Sequence, residues 1–353
     1  MRKHYIFFVL AAALLLLTAC GEGTHGELNY PYASDGNYAT DGDYVCYAEP
    51  YATDGDATDY SEQLVLYATD GNVRREEMTT VRVNTVEELL NAIAPRTEIL
   101  LAPGEYNLSR VTPALYNYCY FHPTFPIGDE GGSELVLCNL SDCILASESG
   151  NCADVTLLAE PRTAAVLKIE NSYGLQLRGL TLGHTEGAVC SGVVLSLNDC
   201  GSVYVEGCDL YGCGTVGLDC VGSYGVTLAD CTIHDCSYGG AQLYNSQSVK
   251  LRGVTFRNCG EYAVFSVNSS HWVETENCVF EGNRNTAFLA ELWSDHVFFD
   301  DCSFADNDFH HLFEVFNSDP PEFRGCDLSA VQCQRPYDSV TPEIRVMLDG
   351  KEF

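Results

Sequence analysis

Seven hexamers of one kind recur along the chain: "LRGLTL", "VEGCDL", "LADCTI", "LRGVTF", "TENCVF", "FDDCSF" and "FRGCDL". Their fourth letters fall at Leu180, Cys208, Cys231, Val254, Cys278, Cys302 and Cys326, at intervals of 28, 23, 23, 24, 24 and 24 residues. Two residues further on stand Leu182, Leu210, Ile233, Phe256, Phe280, Phe304 and Leu328, all large and apolar. Five residues past the fourth letter, the middle of the series reads Cys213, Cys236, Cys259, Asn283 and Asn307. A period near 24 with alternation of period two inside it describes stacked coils of strand, each coil forming one rung. Another strand precedes each hexamer centre, as at Val203 and Val205, Val226 and Leu228, Val249 and Leu251, and Val297 and Phe299. A third follows the Cys/Asn position: "VGLDC", "GAQLY", "AVFSV", "AFLAEL", "LFEVF". Three short strands per coil of about 24 residues, joined by Gly, Asn, Asp and Ser corners, predict an all-β chain folded as a single right-handed parallel β-helix.

The solenoid gives the cysteines a plain role. Cys208, Cys231, Cys278, Cys302 and Cys326 share one inward column with Leu180 and Val254. A position that accepts Leu or Val is a packing position, and a buried free thiol behaves as a small apolar group. A one-dimensional ladder does not converge four ligands tetrahedrally, as zinc requires. No metal site is therefore expected. Cys119, Cys138, Cys143, Cys152 and Cys190 lie in less regular sequence, where a disulfide is more plausible, its pairing open.

The N-terminal part reads differently. "MRKHY" is a short basic start, and "IFFVLAAALLLL" is an apolar run too short for a permanent membrane span. With the "LTACG" that follows, it resembles a bacterial lipoprotein signal. That resemblance implies cleavage before Cys20, a lipid on the Cys20 thiol, and a mature protein held extracytoplasmically at the cell membrane or surface. An ordinary secretory signal is the alternative, and either route permits disulfides. From Gly21 to Thr80 there are 13 acids and 2 arginines, and near-copies of "YATDGD" begin at Tyr32, Tyr38, Tyr51 and Tyr67. Such a stretch buries too little apolar surface to offset its ordering entropy and is expected to act as a spacer. Its Asp-Gly-Asp/Asn steps offer hard oxygens, so calcium is a possible ligand, although the full loop spacing with a closing Glu is missing. No other cofactor is expected. The expected domains are a signal peptide over 1–19, an acidic linker over 20–80 and the β-helix over 81–353.

The β-helix opens with "TVRVNTVEELLNAIAPRTEILLAPGEYNL". Val81 and Val83 alternate as in a strand. Thr85 and Glu88 have capping-box spacing, and Val86, Leu89, Leu90 and Ile93 form one apolar helical face. Together with "ENSYGLQLRGLTLGH" and the coils from Val203 to Leu328, this opening resembles the pectin-lyase-like superfamily over roughly residues 80–330. The resemblance implies that the helix over Thr85–Ala94 caps the bottom of the solenoid. The superfamily includes polysaccharide lyases, glycosidases, epimerases, esterases and proteins without known catalysis.

Net charge is −32 with only 18 Lys plus Arg, so no basic stripe exists for nucleic acid. From residue 81 onward the balance is 37 acids against 14 Lys/Arg, or −23, which repels a polyuronate unless calcium bridges it. Of the motifs used by polygalacturonase-like members, "DD" occurs at Asp300–Asp301 and "GHT" at Gly183–Thr185, and the others are missing. Asp300–Asp301 shares a corner column with Arg252–Gly253 and Arg324–Gly325 and reads as a solvated turn. Along the third strand, alternation points Asp219 outward, with Gln242 and Phe265 following in the next two coils. Glu186 and His184 fall in the loop entering the preceding coil, and Trp293 extends the aromatic stripe. Asp219, Glu186 and His184 are thus the catalytic candidates, and Gln242, Phe265 and Trp293 the carbohydrate-binding ones. The expected function is an envelope-anchored lipoprotein that binds, and in one version processes, extracellular polysaccharide, as a lyase or glycoside hydrolase if an enzyme. The alternatives are a non-catalytic structural or adhesive rod and, third, a redox or metal protein built on the cysteines.

Overall fold

The computed structural model describes residues 78–110, 117, 119–124, 133–184, 191–212, 215–315, 321–328, 332–339, 347–348 and 351–352. The expected signal peptide, Cys20 and the expected acidic linker up to residue 77 lie outside these residues, and the last two linker positions, Thr79 and Thr80, already belong to a strand. Among the described residues no helix is long and apolar enough to cross a membrane.

The chain enters through β1 (Thr79–Val83), α1 (Val86–Ala92) and β2 (Thr97–Leu101). Thr85 caps α1: its hydroxyl accepts from Glu88 N–H, and the Glu88 carboxylate accepts from Asn84 N–H. The expected box is present, displaced by one residue on its return arm. Leu89, Leu90 and Ile93 are buried and join the solenoid core, so α1 covers the first coil.

Beyond this entrance the chain winds as a parallel β-helix with three faces. The first face carries Leu167–Glu170, Leu195–Asn198, Val216–Val221 and Gly239–Tyr244, each paired in parallel with its successor. The second carries Gln176–Arg178, Gly201–Glu206, Tyr224–Ala229 and Gln247–Arg252. The third is a separate sheet of short strands, from Gly104–Asn107 to Ser303–Ala305. Two upper coils depart from three separate strands. Ala263–Glu276 and Arg284–Asp300 each run unbroken around the first corner, with a register shift between Asn268 and His271.

Each corner has a residue in the left-handed backbone region followed by an inward side chain, and the first corner has a second left-handed residue three positions later, as at Gly174, Ser202, Gly225, Ser248 and Trp272. At the first corner the pairs are Asn171–Ser172, Asp199–Cys200, Gly222–Ser223, Asn245–Ser246 and Ser269–Ser270. At the second they run from Gly179–Leu180 through Gly207–Cys208, Asp230–Cys231, Gly253–Val254, Asn277–Cys278 and Asp301–Cys302 to Gly325–Cys326. At the third they are Asp235–Cys236, Asn258–Cys259, Gly282–Asn283 and Asp306–Asn307. Gly, Asn and Asp tolerate this conformation best, which is why they punctuate the repeat. Asp301 is thus a corner residue. Its carboxylate occupies the space that a β-carbon on Gly325 would need, as Asp230 does for Gly253 three coils below.

The inward residues satisfy the backbone where strands break. Ser223, Ser246, Ser270 and Ser294 accept from the N–H of Cys200, Ser223, Ser246 and Ser270, at 3.0, 3.2, 3.0 and 2.9 Å. Cys208, Cys231, Cys278, Cys302 and Cys326 are buried, and their thiols lie 3.3–3.6 Å from carbonyls of the coil beneath. Burial pushes the thiols of Cys200 and Cys220 up to about 12 and about 11, so both stay protonated. Cys138, Cys143 and Cys152 are free thiols, whereas Cys119 is disulfide-bonded. Among the described residues no group of three or more His, Cys, Asp or Glu is placed to hold a metal ion.

Candidate functional site

The first face presents one outward column in continuous register: Lys168, Ser196, Asp219, Gln242, Ser266 and Glu291. Each step is one rung, about 4.8 Å. A lysine stands at one end and a glutamate at the other. Lys168 is held by Glu170 at 2.8 Å and lies 4.0 Å from Glu134. A second outward column, two residues along each strand, carries Val221, Tyr244, Asn268 and Trp293. Tyr244 is 48% exposed and Trp293 42%.

Between the column and the third corner lies a depression of about 230 Å³. Gly239 and Ala263 form part of its floor, and Tyr238, Tyr262, Gln242, Ser266 and Glu291 its walls. Tyr238 and Tyr262 stack with ring centroids 5.1 Å apart. Tyr262 donates its hydroxyl hydrogen to one Glu291 oxygen, and Ser266 donates to the other, both at 2.8 Å. Glu291 is therefore fixed in a single orientation, with its carboxylate drawn toward the coil of Ser266. The depression combines flat apolar ring, hydroxyl, amide and oriented carboxylate, the groups that bind a polyhydroxylated ring.

The candidates named from sequence fare unequally. Asp219 and Gln242 do point outward as neighbours in one column. Trp293 is exposed beside it. Phe265 is not in the column: it is fully buried, pairs with Ala241 and Ala290, and packs against Phe256 and Phe299. Ser266 takes the outward place. The cause is one extra residue absorbed at the third corner, where Glu261 has φ 93, and a slip of one residue reverses every side chain of a strand. His184 is also corrected. It ends a third-face strand, is buried, and its Nε2 lies 2.8 Å from the carbonyl oxygen of Ala164, so it does not join Asp219. Glu186 lies outside the described residues. Tyr238, Tyr262, Ser266 and Glu291 were missed. A 24-residue step from Gln242, rather than 23, leads to Ser266.

Burial pushes the Asp219 carboxyl above its usual range, against the opposing pull of Lys168. A raised carboxyl favours the protonated folded state, so folding gains stability as pH falls through the folded pKa and loses it at neutral pH. Asp219→Asn is therefore expected to raise Tm at pH 7. Its advantage should vanish below about pH 4, where aspartic acid is neutral in both states. Thermal melts of both proteins across pH check this. An advantage that persists unchanged in acid would show that charge is not its source.

Asp219 and Glu291 are three rungs apart, about 14 Å between backbones. Paired carboxylates in glycosidases stand about 5–5.5 Å or about 6.5–9.5 Å apart. Glu291 leans one rung toward Asp219, which still leaves roughly two rungs, about 10 Å. The row is spaced for successive contacts along a ligand more than for cleavage between two acids.

Residues 165–330 match a family described as "Right handed beta helix region". A search of curated protein sequences finds no match. Among solved structures, a pectate lyase from Paenibacillus sp. 0602 is similar at 10% identity and TM-score 0.51, covering 81% of this chain and 83% of that one. An alginate lyase from Paenibacillus sp. str. FPU-7 shows 13% identity and TM-score 0.45, covering 77% and 98%. A pectin methylesterase from Aspergillus niger shows 12% identity and TM-score 0.43, covering 74% and 86%. At such identities the likeness is one of fold, and the parallel coils together with the matched region show the chain to be a right-handed parallel β-helix, a fold it shares with the pectate lyase.

Proposed function

We propose that the first face binds an extracellular polysaccharide lying along the solenoid axis, and that the protein works outside the cytoplasm, tethered through a lipid on Cys20. The observation that carries the reading is the depression in which stacked Tyr238 and Tyr262 meet Gln242, Ser266 and a pinned Glu291. A pyranose ring is comparable in length to one rung, so a linear glycan keeps pace with the column. The likeness to a pectate lyase supports a glycan partner as a likeness of fold. The charge balance selects among glycans: a balance of −23 from residue 81 onward, with Asp219 and Glu291 in the column itself, favours a neutral chain over a polyuronate.

Affinity electrophoresis of the full chain in gels containing neutral glycans (xylan, mannan, β-glucan), polygalacturonate or alginate tests this. At least one neutral glycan is expected to retard the protein. Ser266→Tyr, which fills the depression and frees Glu291, is expected to weaken that retardation about tenfold or more. No retardation by any glycan overturns the reading. New reducing ends that disappear in Asp219→Asn would add hydrolysis to recognition.

A further inference from the structure

The chain has two tryptophans, and both stand in the open. Trp293 flanks the first-face row. Trp272 lies around the first corner, at the start of the second face, and is 47% exposed. His296 stacks on it in the next coil with centroids 4.2 Å apart and an interplanar angle of 26°. Phe298 lies 6.4 Å from both rings, and the Arg324 guanidinium covers Phe298 at 4.8 Å while pairing with Glu322. One end of the aromatic row is thereby closed and the Trp272 end is open. The corner positions beneath Trp272 are Ser248 and Gly225, too small to shield its ring.

The backbone adds a second, independent observation. In the corner column Gly174, Ser202, Gly225, Ser248, Trp272 and His296, every residue has positive φ. The lower four are glycine or serine, with little or no side chain to clash. Trp272 has φ 57 and His296 φ 58. Histidine is tolerated there, but a bulky indole is disfavoured, and the Trp272 ring is not buried in return. Strain that packing does not repay marks a functional position.

We propose that Trp272, with His296 and Phe298 behind it, is a second sugar-stacking platform on the second face, for a neutral hydroxyl-rich glycan ring. The inference rests on the glycan-binding reading of the first face but uses different residues on a different face. The ligand class follows from the surroundings. An exposed indole offers a flat surface to the C–H face of a pyranose. Glu274 on the same strand, which pairs with Lys250 at 3.0 Å, and Asp295 on the next strand offer carboxylate oxygens to hydroxyls, and His271, 3.8 Å from Asp295, completes the rim. These acids and the net charge disfavour polyanions and anionic lipid surfaces.

Trp293→Phe leaves Trp272 as the sole tryptophan, so its emission reports this platform alone. The full chain carrying Trp293→Phe is titrated with cellohexaose, mannohexaose and laminarihexaose. At least one is expected to shift the emission saturably, and the shift is expected to survive addition of Ser266→Tyr on the first face. Trp272→Gly, measured by calorimetry in the wild-type background, is expected to bind that sugar at this platform about tenfold more weakly. It is also expected to keep or raise Tm, because glycine relieves the backbone. No saturable shift with any of the three, while Ser266→Tyr still weakens glycan retardation, overturns this inference and leaves the first-face reading standing. Loss of the shift on adding Ser266→Tyr means one site instead of two and also overturns it. A lowered Tm in Trp272→Gly would assign the residue to packing, and a response only to a cationic probe such as chitosan hexamer would overturn the ligand class. Silence of every glycan in both assays removes both readings together.

Discussion

Phe280→Ala is expected to destabilise the upper half of the solenoid by about 3–5 kcal/mol. Phe280 is fully buried and stacks between Phe256 and Phe304 with centroids 5.0 Å away on either side. Phe299 meets it at a tilt, with centroids 6.2 Å apart, and itself stacks on Phe323 at 4.5 Å. The cavity left by truncation lies inside a tube hydrogen-bonded all round, which restricts collapse into the void. Because each coil touches only its neighbours, the damage should be local. Hydrogen exchange is expected to show amides around Val273–Phe304 losing protection, while those around Leu177–Leu218 keep theirs. Such unfolding is not two-state, so residue-level exchange is a better measure than a single Tm. Cys278→Ala, two residues away in the same coil, is expected to cost only about 1 kcal/mol, since it removes one small sulfur. If Cys278→Ala proved the more damaging, the thiols would have a role beyond filling space.

The pairing of Phe280 with its stack was legible in the sequence, because a period of 23–24 residues with large apolar side chains three places after each Gly/Asp/Asn corner leaves one way to bury them. The site was harder to read. Phe265 and Ser266 differ by one position, and nothing in "CGEYAVFSV" declares that Glu261 absorbs a residue before the strand begins. In a strand that error is total, since inward and outward exchange. The serine ladder was equally available: Ser172, Cys200, Ser223, Ser246, Ser270 and Ser294 recur at intervals of 28, 23, 23, 24 and 24, the same intervals as the hexamers. Isolated serines between Asn and Gln read as solvated turns until it is noticed that the backbone at each corner needs a partner inside the tube. His184 misleads for the converse reason, being a polar side chain that finds its hydrogen bond within the core.

The second large effect is expected at Asn283, in the inward column of the third corner. Its Oδ1 accepts from Cys259 N–H at 2.8 Å, and its Nδ2 donates to the carbonyl of Phe256 at 3.1 Å and to Asn307 Oδ1 at 3.0 Å. Asn307 repeats the arrangement one coil up, accepting from Asn283 N–H at 3.1 Å and donating to the carbonyl of Phe280 at 2.7 Å. Asn283→Leu keeps the volume and leaves Cys259 N–H and the Phe256 carbonyl buried without partners, at about 1–3 kcal/mol for each orphaned group. Asn283→Cys should be milder, because the coils below hold thiols at this place: Cys259 donates to the carbonyl of Ile233 at 3.5 Å. Asn283→Asp is the sharpest test. At neutral pH it puts a charge into a position with no exposed surface, facing one N–H donor, one carbonyl and an amide oxygen. Desolvation must raise the folded pKa of that carboxyl above its unfolded value, so stability lost at pH 7 should return as pH falls through the folded pKa. The protonated acid can again donate to the carbonyl while accepting from Cys259 N–H, restoring most of the ladder. Denaturant melts of the three variants between pH 4 and 8 separate these outcomes. An Asn283→Asp protein as stable at pH 7 as in acid would mean that water reaches the third corner, and the Asn column would then order a wet surface and not a dry interior.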